Sequence, residues 1–193
     1  MPLSEPVARE LLHQRAIMLH GYRRQDGLFD VEARLTDTKS YGFKNDDRGW
    51  VEPGEPLHGM AMRWTVDVEM NILAVDAVTE HGPYTVCGDA APYFERLVGL
   101  SIKSGFLRAA NQRIGGVHGC THLRELLQQM ATVVFQTTYA TRMKKPERAT
   151  AENSRPGQID TCHAYRADGP VVKRYWPHVY TGQDMAAPAN DTA

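Results

Sequence analysis

The feature that most constrains the fold is a period-two alternation. Met62, Trp64, Val66, Val68, Met70 and Ile72 are apolar and alternate with Arg63, Thr65, Asp67, Glu69 and Asn71. Such a pattern describes a strand with one buried and one wet face. The phase then flips, because Leu73, Val75 and Ala77 are also apolar. A one-residue slip reverses a strand's faces, so a turn or bulge belongs near residues 68–71, making a hairpin. An earlier stretch within 15–43 behaves alike: Phe29, Val31, Ala33 and Leu35 face one way and Asp30, Glu32 and Arg34 the other. Ile17, Met18, Leu19 and Tyr22 precede it, with Gln25-Asp26-Gly27 between, a hairpin signal. Four antiparallel strands follow from these two hairpins. Residues 44–56, charged and rich in Gly and Pro, read as the loop between them.

After Tyr84 the pattern turns helical. Asp89 precedes a helix over 90–98 that buries Phe94, Leu97 and Val98 and stops at Gly99. A second runs over 104–114 and ends at Gly115-Gly116. The longest begins at Cys120 or Thr121, with Leu123, Leu126, Leu127, Met130, Val133, Val134 and Tyr139 at helical spacing. Arg142, Lys144 and Lys145 suit its C-terminus. Residues 146–158 read as a polar linker, and 159–180 as an extended segment. The expected architecture is α+β: an antiparallel sheet of two hairpins followed by a helical layer. One domain covers 1–180, and 181–193 is a frayed tail.

Composition excludes several classes. Of 193 residues, 42% are hydrophobic and 23% charged, too apolar for disorder and too polar for a membrane bundle. Twenty-two Lys+Arg against 23 Asp+Glu argues against binding to nucleic acid or anionic lipid. Three cysteines leave an odd thiol, so no disulfide framework is expected. The N-terminus lacks a signal-peptide core and no run reaches the roughly 20 apolar residues of a membrane span. A cytoplasmic protein is the expectation.

The chemistry-bearing residues gather at three places. Cys87 lies in Val86-Cys87-Gly88-Asp89, Cys120 in His118-Gly119-Cys120-Thr121-His122, and Cys162 in Asp160-Thr161-Cys162-His163. Two of these thiols sit at expected helix starts, where the helix dipole stabilises a thiolate. Joined in one site, Cys87, Cys120, His122 and Cys162 form a ligand set for zinc or iron. His118, His163 and Asp160 would supply proton transfer and orientation. The alternative is a free cysteine buried as a small hydrophobe, which applies most to Cys87. His58, in Pro56-Leu57-His58-Gly59, is an outside candidate, while His13, His20, His81 and His178 read as solvated surface residues.

Several segments carry a family resemblance: Gly119-Cys120-Thr121-His122-Leu123, Asp160-Thr161-Cys162-His163-Ala164, Asp168-Gly169-Pro170-Val171-Val172 and the opening from Arg9 to Lys39. With these the chain resembles an uncharacterised bacterial family catalogued as domain of unknown function two-eight-eight-nine, over about residues 2–180. That likeness implies no activity. The order of strands, then Cys87-Gly88-Asp89, then Cys120 leading a long helix is also similar to NifU-like iron–sulfur scaffolds. This second likeness implies that Cys87, Asp89, Cys120 and His122 converge at one end of the sheet. The expected function is a metal-dependent enzyme, a hydrolase or lyase, acting on a small-molecule substrate. A non-catalytic metal or iron–sulfur scaffold is the alternative, and a metal-free binding protein a third. The sheet's free edges leave room for a homodimer.

Overall fold

In the computed structural model, which describes residues 3–143 and 155–182, the chain is an α+β protein. Contacts cluster into two compact units, Met1–Lys144 and Lys145–Ala193, where the sequence suggests one domain over 1–180. Each unit is described by itself.

The first unit is built on β1 (His13–Arg23), β2 (Phe29–Lys39), β5 (Pro56–Val66) and β6 (Ile72–His81), in spatial order β1-β2-β5-β6 and antiparallel throughout. Both expected hairpins form. Asp-Gly makes the first turn, where Gly27 adopts a φ of 87° that a side chain would oppose. The second turns at residues 67–71, where the Asp67 carboxylate accepts the backbone N–H of Asn71 at 2.8 Å. This turn lets the apolar phase flip without burying a charge.

Residues 44–56 hold more than a loop. β3 (Phe43–Asn45) and β4 (Gly49–Val51) form a small hairpin there, and Val51 is buried. The expected helix over 90–98 is a 3-10 stretch, Thr85–Leu97. Three residues per turn align Ala91, Phe94 and Leu97, which are buried, and leave Val98 partly exposed. α1 (Phe106–Ile114) and α2 (Thr121–Met143) start within two residues of expectation. Phe94, Leu97, Phe106, Ile114, Leu126 and Met130 meet the inner face of the sheet around Trp64, whose indole is edge-on to Phe106 at 5.7 Å.

The second unit has its own small core of Ile159, Ala167 and Val172, with Trp176, Val179 and Tyr180 packed on it. Residues 159–180 are not extended. They form short turns of 3-10 helix and α3 (Pro170–Tyr175), because Pro170 at the first helical position and Gly169 before it start a helix through Val171-Val172. The expected linker over 146–158 and tail over 181–193 lie largely outside the described residues. Among the described residues, no helix is long and apolar enough to cross a membrane.

Candidate metal centre

The buried rows of the sheet end in charge. On β2 the inward phase runs Phe29, Val31, Ala33, Leu35 and then Asp37, each buried. On β5 it runs Trp64, Met62, Met60 and then His58. On β1, Leu19 and Ile17 lead to Arg15 and His13. The register sets Arg15 opposite Asp37 and Asp37 opposite His58, as it sets Ile17, Leu35 and Met60 across one apolar rung. The ladder between β2 and β5 slips just beyond, at Asp37/Thr38. α2 packs over β1, β2 and β5, and its first turn brings His122 to the polar rung, one turn ahead of the buried Leu126.

Asp37 is the hub. Its side chain is 2% exposed, and Arg15 donates to it from Nε and Nη2, both at 2.7 Å. His58 Nδ1 lies 3.0 Å from Oδ2, His13 Nε2 3.3 Å from Oδ1, and His122 Nε2 3.9 Å from Oδ2. The His58 and His122 rings stack with centroids 3.8 Å apart. On its far side His122 Nδ1 meets the Cys120 sulfur at 3.8 Å. Arg15 also pairs with Glu125 of α2 through Nη1.

Burial pushes the Asp37 carboxyl up, but hydrogen bonds and charge from Arg15, with charge from His58 and His13, outweigh it and leave its pKa below the ordinary value. Burial, followed by the neighbouring His122, pushes His58 down against the pull of Asp37. His58 is therefore a neutral imidazole at neutral pH. Its Nδ1, the nitrogen that faces Asp37 Oδ2, can carry a lone pair in place of a proton, so that it and the carboxylate face one ion. Likewise, an Nδ1–H directed at Cys120 leaves Nε2 of His122 free on the Asp37 side.

Asp37, His58 and His122 each offer a ligand atom within 4.8 Å of the others, and among the described residues no other group of three His, Cys, Asp or Glu does so. Donors bound to one tetrahedral ion at about 2.0–2.1 Å sit roughly 3.4 Å apart, so modest side-chain rotation closes the set. A hollow of about 440 Å³, lined by Leu107, Asn111, Thr121, Arg124, Glu125 and Leu127, shares Glu125 with the ion-pair chain. A second hollow, of about 360 Å³, lies on the sheet, includes Met18, Arg34, Ala61 and Val78, and shares no residue with the cluster.

Of the seven site residues expected from sequence, His122 is in this cluster. Cys120 stands beside it, as a partner to His122. Cys87 is within the 3-10 stretch, part-buried against Gly82, where an added Cβ would lie 2.7 Å from its own, and it is outside the three-donor group. His118 is exposed and edge-on to Tyr93. Cys162, His163 and Asp160 belong to the second unit. Both Cys162 and His163 are exposed, while Asp160 accepts the Ala167 N–H at 2.8 Å and pairs with Arg155, which locks the turn around them. Asp37, Arg15 and His13 are not among the seven, although Asp37 continues the apolar phase of β2 by one step, a signal present in the sequence.

Residues 13–136 match the model of a family described as Protein of unknown function (DUF2889). No curated protein and no solved structure matches the chain, and nothing found supports the likeness to NifU-like scaffolds.

Proposed function

The chain belongs to the DUF2889 family, and we propose that it is a metal-dependent enzyme, a hydrolase or lyase of a small molecule, centred on Asp37, His58 and His122. The observation that carries this reading is the convergence of two imidazoles and a carboxylate at the end of the core, with one histidine held neutral. Two histidines and one carboxylate suit zinc or iron(II), and three protein donors leave a position open. An ion so held polarises a bound carbonyl or lowers the pKa of bound water. Cys120 fixes the ring of His122. His13, half-exposed and on the other carboxylate oxygen, is placed to exchange protons with solvent. A hollow along the first turns of α2, lined by Thr121 and Glu125 among others, offers a small molecule room.

Elemental analysis of protein purified without chelator tests this. About one zinc or iron per chain is expected, lost in His58→Ala and His122→Ala and retained, more weakly, in Cys120→Ala. Folded wild-type protein that carries no metal and takes up none would overturn the metal centre. With metal present, a screen of small esters and hydroxy acids should yield turnover that a chelator abolishes, and turnover indifferent to chelator would overturn the catalytic role.

A further inference from the structure

Asp37 already has a cation. Arg15 grips both carboxylate oxygens in a fork, at 2.7 Å each, from the neighbouring strand. With His58 at 3.0 Å from Oδ2 and His13 at 3.3 Å from Oδ1, Arg15 is one of two close nitrogen neighbours on each oxygen, and a metal ion approaching Oδ2 must take the place of at least one. It must also approach the fixed positive charge of a guanidinium, in a place where little water screens the repulsion. Arg15, however, has a second partner. Its Nη1 pairs with Glu125 in the first turns of α2, and Glu125 is half-exposed. Arg15 itself is about a third exposed, so it can turn from the carboxylate to Glu125 without burying a bare charge.

We propose that Arg15 is an internal competitor for Asp37 that sets the metal affinity of the centre, with Glu125 as the counter-partner that draws Arg15 away when metal binds. This rests on the metal centre proposed above. The arrangement ties occupancy of the site to the contacts of β1: without metal Arg15 bridges Asp37 and Glu125, and with metal it is held by Glu125 of α2 alone. Arginine suits this role because its rigid fork matches a carboxylate bidentately, which the point charge of lysine does not.

The test is a zinc titration of the full chain, stripped of metal, in competition with a chromophoric chelator at fixed pH and salt. Wild type is compared with Arg15→Gln, Arg15→Lys, Glu125→Gln and the double variant Arg15→Gln/Glu125→Gln, each checked for folding by circular dichroism. Arg15→Gln is expected to bind zinc about tenfold more tightly than wild type, with Arg15→Lys between the two. Glu125→Gln is expected to bind a few-fold more weakly in the wild-type background. It should have no effect in the Arg15→Gln background, because Glu125 acts through Arg15. If Arg15→Gln does not fold, the opposite shifts expected of Arg15→Lys and Glu125→Gln carry the test. Equal affinity across the variants, or a Glu125→Gln effect that persists without Arg15, would overturn the competitor role and leave the metal centre standing. No stoichiometric zinc in any of the variants would sink both.

Discussion

Asp37 continues the buried row of β2, where period-two alternation would place an apolar residue, and it is tolerated there because four cationic or hydrogen-bonding side chains face it. Removing its charge leaves Arg15 without its main partner. Asp37→Asn should lower stability by about 2 kcal/mol at neutral pH, measured by thermal unfolding in the presence of chelator. The dependence on pH has a definite sign. The folded carboxyl holds its proton less tightly than the unfolded one, so the stabilisation is complete above about pH 3.9 and fades as pH falls through the lower folded value. The gap in unfolding temperature between wild type and Asp37→Asn should therefore close in acid, and a gap that widens there would contradict the ion-pair account. His13, read from sequence as a solvated surface residue, sits 3.3 Å from this carboxylate, because strand register rather than sequence company decides its neighbours.

At the scale of elements, the site depends on how closely α2 lies on β1. Gly21 allows that approach, since a Cβ there would come within 1.8 Å of Thr137 Oγ1 on α2. Thr137 Oγ1 is itself donated to the Val133 carbonyl at 2.7 Å, so it is not free to step aside. Gly21→Ala should cost about 1–3 kcal/mol through overpacking, read as a drop in unfolding temperature, and Thr137→Ala in the same chain should restore part of it by deleting the nearest atom. Full stability in Gly21→Ala alone would mean that the helix stands farther from the strand than described. Strands, turns and helix order were legible because alternation and the Asp-Gly turn are local signals. The 3-10 winding of Thr85–Leu97 was not, since both helix types present apolar residues at spacings of three and tertiary packing chooses between them. The short helix at Pro170 was obscured by the paired valines, whose strand preference gives way to a proline that pre-sets helical φ.

For the whole molecule, the two units hold separate cores. The core around Trp64 is made of residues of the first unit, from Ile17 to Val134, and all residues of the proposed centre belong to that unit. A chain ending at Lys144 should therefore unfold cooperatively and bind as much zinc as the full chain, checked by calorimetry and metal analysis. Loss of cooperative unfolding would show that residues 145–193 contribute to the larger core. The family match likewise falls within this unit, at residues 13–136.

By itself, the sequence determined the α+β class, the two hairpins and the long helix, because each depends on residues near one another along the chain. Which groups share a site was decided by tertiary structure alone. Arg15, Asp37, His58 and His122 are brought together by antiparallel register and by one helix crossing three strands. The cysteines invited a different grouping because thiols beside histidines are conspicuous in a sequence. A single carboxylate at the end of an apolar row shows its meaning once the neighbouring strands supply its partners.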